Sequence, residues 1–263
     1  MRDGGRRAVS QLQDGSNAFR AFIYTRYAES HATYGGGTDF SRRADFNART
    51  RRDIGRYLPA DPQAVIIDIG CGSGQFVAAL RRHGYRAVRG IDTSADQIAL
   101  AARLGIEGIE LREGLEFLAQ LPDASVDCFW LFDVMEHLTR YELLTWLQAM
   151  LRALKPGGRI VGHVPNSAGL LGAQIAFGDV THETFLNETS CRQLFNAVGF
   201  EGIRVDEDPP LPHGFKSACR ALLWSAIGLI AKSVMLIERG YVGGVWTACM
   251  YVVAFKPSAV ATP

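Results

Sequence analysis

The sequence predicts an α/β fold: a mostly parallel sheet of seven strands, with N-terminal helices and a helical insertion before the last strand. Three observations predict it. Short apolar runs alternate with amphipathic segments from about residue 64 onward, the pattern of strands joined by crossover helices. The first apolar run, 65–69, breaks into Gly70, Gly72 and Gly74 before a helical stretch opens at Phe76. A helical stretch over 140–153 stops at Lys155-Pro156-Gly157-Gly158, where proline cannot continue a helix and glycine accepts a left-handed cap.

The elements follow in order. Residues 1–16 are polar, as expected of a fraying terminus. Phe19, Phe22, Ile23 and Tyr27 recur at helical spacing and predict an amphipathic helix over 17–29, ended by Gly35, Gly36 and Gly37. A second helical segment over 41–58 carries Arg42, Arg43, Arg49, Arg51, Arg52 and Arg56. That basic face is either solvated or covers a ligand site and meets a phosphate. Pro59 and Pro62 punctuate before the first strand. Strands are predicted at 64–69, 86–91, 107–111, 126–131, 158–164 and 201–206, and helices at 74–83, 95–104, 114–120, 140–153 and 190–198. Residues 247–255 alternate poorly and predict a buried closing strand. The chain thus divides into an N-terminal helical cap (1–60), a sheet domain (61–206 and 245–257) and a hydrophobic helical insertion (207–244) with a helix over 215–238.

A length of 263 residues suits one large domain with elaborations. The formal net charge of +1 offers no global attraction to nucleic acid, and no nucleic-acid partner is expected. The five cysteines are scattered without a C-x-x-C pair, so neither a disulfide framework nor a zinc site is indicated. A reducing compartment, the cytoplasm, fits. Arg2, Arg6 and Arg7 are not followed by the apolar core of a signal peptide.

A strand that stops in a glycine-rich turn before a helix brings backbone N–H groups up to a ligand. Here the spacing is G-x-G-x-G, with Asp68 two residues before the first glycine, not the dinucleotide fingerprint G-x-G-x-x-G. A pyrophosphate disfavours a nearby carboxylate, whereas a cationic ligand accepts one. The D-x-G-x-G-x-G pattern resembles the first motif of class I S-adenosylmethionine (SAM) methyltransferases. The resemblance implies a Rossmann-like class I fold that binds SAM through Asp68, Gly70, Cys71, Gly72 and Gly74. It also implies that Asp92, with Thr93, grips the ribose at the end of strand two, since a carboxylate accepts two vicinal hydroxyls; a plain helix cap is the alternative. Where relatives carry Gly-Asp-Ala, this chain has Glu113-Gly114-Leu115. Glu113 is the candidate partner of the adenine amino group, or else a surface acid, and Phe132 is the candidate wall of the adenosine.

Further motifs narrow the resemblance. Val164-Pro165-Asn166, Gly178-Asp179-Val180-Thr181-His182-Glu183, and Arg220, Trp224 and Glu238-Arg239-Gly240 look like methyltransferases of bacterial surface-polysaccharide and O-antigen biosynthesis. That branch implies methylation of a sugar hydroxyl on a lipid-linked, nucleotide-linked or growing glycan. A small-molecule enzyme for a quinone-like or lipophilic acceptor, and a SAM-binding protein without catalysis, are the rival readings.

Methyl transfer from a sulfonium is an in-line displacement, so the protein must align the acceptor and take the hydroxyl's proton. Asp133, Glu136 and His137 cluster at the mouth of strand four and would share one face of a helix; His182 follows strand five. The D-x-x-E-H cluster with a distant histidine resembles the metal site of small-RNA 2′-O-methyltransferases and the E-x-x-E-H cluster of ubiquinone-pathway O-methyltransferases. It implies a divalent ion, Mg²⁺ or Mn²⁺, on Glu136 and His137 with Asp133 or His182; the mixed carboxylate and imidazole set suits Zn²⁺ as well. Metal-free catalysis with His137 or His182 as general base, and a merely structural pair, stay open. His163, inside strand five, is expected to be buried and hydrogen-bonded.

In the insertion, residues 221–231 lie between Arg220 and Lys232 and rise about 16 Å as a helix, half a hydrocarbon core, so no crossing is expected. The segment either lies in the membrane interface with Trp224 at headgroup depth, placing the protein peripherally at the inner face of a membrane, or packs on the domain, or forms a homodimer.

Overall fold

A computed structural model describes residue 23, residues 43–240 and residues 242–258. The expectations for 1–16 and 17–29 lie outside the described residues, apart from Ile23, which is helical. In chain order the elements are α1 (Ala44–Tyr57), β1 (Ile66–Ile69), α2 (Gln75–Arg82), β2 (Val88–Asp92), α3 (Ala95–Arg103), β3 (Ile109–Leu111), α4 (Gly114–Gln120), β4 (Val126–Phe132), a 3₁₀ turn (Met135–His137), α5 (Arg140–Ala153), β5 (Leu154–Pro165), α6 (Gly172–Ala176), α7 (Glu188–Val198), β6 (Glu201–Glu207), α8 (Phe215–Arg239) and β7 (Cys249–Phe255).

The seven strands form one sheet in the order β3-β2-β1-β4-β5-β7-β6. β1 to β5 pair in parallel, and β7 runs antiparallel between β5 and β6. The order reverses between β1 and β4, and the carboxyl ends of strands at such a switch point open a ligand crevice. All four residues of β1 are buried because both faces of the sheet are covered. Side-chain alternation sends Ile67, Ile69, Phe129 and Leu131 to a core shared with Leu118, Leu147 and Phe195. Ile66, Cys128, Trp130 and Val161 face the opposite core, against Tyr57, Val77 and Leu80. The helices that close these cores start at firm caps: Thr139 and Glu142 form a capping box on α5, and Asn187 and Ser190 one on α7.

Two expectations are corrected. The Pro-Gly-Gly segment is not a turn ahead of the strand but a bulge within it. Val126 pairs with Leu154 and Cys128 with Arg159, so four residues, 155–158, stand opposite Asp127 alone and three of them are extra. Lys155 Nζ holds Asp127 at 2.6 Å, and Lys256 N donates to the Gly158 carbonyl at 2.8 Å, which keeps the bulge bonded into the sheet. The insertion helix α8 is 25 residues long and rises about 37 Å. By length and composition alone it suffices to cross a membrane, so the short-helix argument against crossing fails.

Candidate active site

β1 ends at Ile69, and Gly70, Gly72 and Gly74 all take left-handed backbone, with φ of +73°, +53° and +72°. Side chains rarely tolerate that region. A Cβ on Gly70 would run into Val134, whereas one on Gly72 would meet only Gln97 Oε1 at 3.7 Å. Gly72 is therefore where the turn bares its backbone to a ligand. Its N–H donates to Asp92 Oδ2 at 2.8 Å, and Ser94 N donates to Asp92 Oδ1 at 2.8 Å. Ser94, not Asp92, caps α3, with its Oγ accepting from Gln97 N at 3.4 Å. Asp92 instead ties the glycine turn to the end of β2.

Two cavities meet at this turn, with Gly70, Gly72 and Gln97 lining both. The smaller, about 430 Å³, is lined by Asp92, Thr93, Glu113, Gly114, Asp133 and His137, with Trp146 as a wall. The larger, about 940 Å³, takes in Asp68, Cys71, Phe132, Arg49, Asp208 and Trp224. Burial and the nearby charge of Asp92 push the Asp68 carboxyl up to about 8. Burial also raises Asp92, against the backbone N–H groups that hydrogen-bond it. A buried acid, Asp68, and a half-buried one, Asp92, beneath a bared glycine turn suit a cationic ligand. Burial, with Asp68 and Asp92, raises the Cys71 thiol, so it stays protonated. Glu113 Oε2 accepts from Glu116 N at 2.8 Å and caps α4 while lining the smaller cavity. Gly114 leaves room for Trp146, which a Cβ there would strike.

Phe132, the expected adenosine wall, lines the larger cavity and not the smaller one. Alternation along β4 puts it on the face of Trp130, where it lines the larger cavity and stacks on His163 at 4.1 Å and 4°. Leu115, Leu138 and Trp146 wall the smaller cavity instead.

β4 stops at Asp133, whose φ of +56° turns the chain sharply. Its carboxylate meets His163 Nδ1 at 2.5 Å, and His163 Nε2 lies 3.3 Å from Asp208 Oδ2. Burial alone would lower the pKa of His163, but the two carboxylates outweigh it and hold the ring well above its usual value, as an imidazolium. Asp208 also accepts from Arg49 and Arg52, each at 2.7 Å. Burial would raise its carboxyl; the His163 bond and the two guanidiniums hold it well below the usual range. Arg52 Nη2 donates to Tyr251 Oη at 2.8 Å, which donates to Asp53 Oδ2 at 3.0 Å. The arginines of α1 are thus not all a solvated face: Arg49 and Arg52 point into a charge network under the larger cavity. Sequence reasoning missed Asp208, Asp53 and Tyr251 and left His163 as structural. These residues are far apart in the chain, and no spacing signals their meeting.

The structure gathers Glu136, His137 and His182, one candidate ligand atom from each lying within 4.8 Å of the others, and gives Asp133 to His163. A 3₁₀ turn, not an α-helix, presents Glu136 and His137. His137 Nδ1 donates to Thr181 Oγ1 at 2.9 Å, whose hydroxyl donates to Asp179 Oδ1 at 2.7 Å; His182 Nδ1 donates to the Ala176 carbonyl at 2.8 Å. These partners put the lone pair of each neutral ring on Nε2. Glu136 is buried, and its Oε2 has no hydrogen-bond partner among the described residues. Burial and the charge of Asp133 push its carboxyl well above the usual range. Burial and His182 push His137 down to about 4. A buried carboxylate with an orphaned oxygen beside two neutral imidazoles fits a divalent cation by donor chemistry, Mn²⁺ better than Mg²⁺. His137 brings the cluster to the smaller cavity; none of the three lines the larger one.

A family model described as a methyltransferase domain matches residues 41–205. Trans-aconitate 2-methyltransferase of Azoarcus sp. (strain BH72) is 33% identical over 125 residues, 47% of this chain and 48% of that protein. A probable S-adenosylmethionine-dependent methyltransferase of Mycolicibacterium smegmatis is 29% identical over 136 residues, 52% of this chain and 51% of that protein. The chain thus spans about half the length of these curated relatives. A SAM-dependent methyltransferase from Archaeoglobus fulgidus shares the fold, with a TM-score of 0.59 at 21% identity over 80% of this chain and 93% of that one.

Proposed function

The chain belongs to the family of SAM-dependent methyltransferases, and from that premise we propose that it methylates an oxygen of an amphiphilic acceptor, a sugar hydroxyl of a lipid-linked glycan. One observation carries this reading. The larger cavity joins a charged floor, Asp53, Arg49 and Asp208, to an apolar wall of Leu223, Trp224 and Ile227 from α8. Carboxylates accept hydroxyl hydrogen bonds, and the apolar wall takes a lipid chain. The resemblance to the surface-polysaccharide branch points the same way.

Asp92, Thr93, Glu113 and Gly114 would hold the adenosine of SAM in the smaller cavity, and Gly70, Gly72 and Asp68 would hold its sulfonium end. The acceptor oxygen attacks from the larger cavity. The O–C bond forms as the C–S bond breaks, and the thioether product leaves. Asp133, half-exposed beside Gly70 and Val134 and held by His163, takes the hydroxyl proton. Glu136, His137 and His182 would hold a divalent cation beside the smaller cavity, where it would supply Lewis acidity to an acceptor oxygen that reaches past Gly70 from the larger one. The metal-free alternative gives the proton to His137. Exhaustive chelation decides between them: lost turnover restored by Mn²⁺ supports the ion, and full turnover after chelation removes it.

A carboxylate acceptor is the second reading. Arg43, Arg49 and Arg220 line the larger cavity, and one relative is named for trans-aconitate. Methyl-labelled SAM incubated with extracted lipid-linked glycans separates the two. Label that enters glycan and resists mild alkali is a methyl ether; label released as methanol is an ester. No transfer to any glycan or acid fraction, with SAM bound, would leave a binding protein without catalysis.

A further inference from the structure

α8 leaves the sheet domain almost bare. Leu222, Leu223, Leu229, Ile230, Leu236 and Ile237 are all more than half exposed. On a wheel of 3.6 residues per turn they fall on one half of the helix, and no charged residue shares that half. The opposite half carries the shielded stripe Ser217, Ala221, Trp224, Gly228, Ala231 and Met235, flanked by Arg220, Lys232, Glu238 and Arg239, with Lys216 at its border. Four cations thus stand against one acid along the edge of an uncharged apolar face.

Crossing a membrane is excluded by connectivity rather than by length. The chain enters α8 from β6 and returns to β7, and these two strands are paired neighbours. If α8 crossed, residues 240–248 would have to come back. Fully extended, they reach no more than about 30 Å, with backbone unpaired throughout the hydrocarbon. Both ends of α8 therefore stay on one side, and its apolar half is presented lengthwise.

A second exposed apolar group stands across the larger cavity. Leu170, Leu171, Ile175 and Phe177 around α6 are exposed, and Leu171 lines that cavity together with Leu223 and Ile227 of α8. The mouth of the cavity is thus rimmed by apolar side chains on two sides.

We propose that α8 and the 170–177 segment lie in the interface of an anionic lipid bilayer, which seats the mouth of the larger cavity against the lipid. The apolar half buries in the acyl boundary, and Lys216, Arg220, Lys232 and Arg239 reach headgroup phosphates. Seating needs only these surfaces; lateral entry of a lipid-borne acceptor rests on the function proposed above.

Flotation of the purified full chain with vesicles tests it. Binding to phosphatidylcholine vesicles containing phosphatidylglycerol should exceed binding to phosphatidylcholine alone by about tenfold or more, and fall in high salt. Leu229→Glu with Ile230→Glu, neither of which lines either of the two cavities at Gly70, should abolish flotation and leave the heat of SAM binding unchanged. Lys232→Glu with Arg239→Glu should remove the preference for the anionic lipid. No flotation of a protein that still binds SAM overturns the seating and spares the methyltransferase reading; absent SAM heat strikes that reading instead. Undiminished flotation of the Leu229/Ile230 variant overturns the seating as well. So does a lipid-free dimer that this variant splits while no vesicle binds, because a second copy then covers α8.

Discussion

The two cavities that meet at Gly70 are built in opposite ways. The smaller is assembled from short stretches at successive strand ends, around residues 69–72, 91–94, 112–115 and 133–138. Each stretch needs only a strand that stops and a turn of the right backbone. The floor of the larger is a network whose members come from α1, β5, the segment after β6, and β7. The first is a matter of local dihedral angles and the second of long-range charge pairing.

The contrast breaks most visibly at Asp208. Asp208→Ala strands Arg49, Arg52 and His163 without their shared anion, which should cost about 3–5 kcal/mol of stability, read as a large fall in melting temperature. Asp208→Asn should recover part of it. A melting temperature unmoved by Asp208→Ala would mean that the network carries no structural weight.

Gly70→Ala comes next and acts on the other side. Its left-handed φ and the approach of Val134 should cost about 1–3 kcal/mol and weaken SAM binding at least about tenfold. Calorimetry that finds SAM affinity intact would separate the turn from the cofactor.

Asp68 makes the contrast depend on pH. Its folded pKa of about 8 lies above the unfolded value. Its protonated form thus contributes stability that is present below about pH 4 and fades as the pH rises to about 8. A cationic ligand favours the ionised form. SAM affinity should therefore rise with pH up to about 8, and binding at neutral pH should release a proton, seen as an enthalpy that varies with the buffer. Asp68→Asn should flatten both; a flat profile in the parent would remove Asp68 from the ligand.

The smallest effect is expected at Glu113. Glu113→Ala loses the cap of α4, worth about 1 kcal/mol, and should lower SAM affinity less than Gly70→Ala does. A larger drop would make the adenine contact its main role.

The order of the seven strands, the glycine turn and the acids near strand ends were legible in the sequence to within a few residues, whereas the five-residue helix α6 was too short to leave a periodic signal. The Lys155-Pro156-Gly157-Gly158 bulge was not legible either, because a glycine-rich turn and a bulge use the same residues and differ only in how the partner strand pairs. Glu136, His137 and His182 were legible as a group because motif spacing flags them. Asp133 was misplaced within that group, because His163 lies on the neighbouring strand and claims it.

The sequence by itself determined where the chain turns and which residues end each strand, since side-chain period and the steric reach of φ are properties of a few adjacent residues. Only the tertiary structure decided which face Phe132 takes, which acid His163 and the arginines of α1 share, and that the strands on either side of α8, β6 and β7, pair as neighbours. Those outcomes depend on the β3-β2-β1-β4-β5-β7-β6 order, which brings together side chains that no local rule relates.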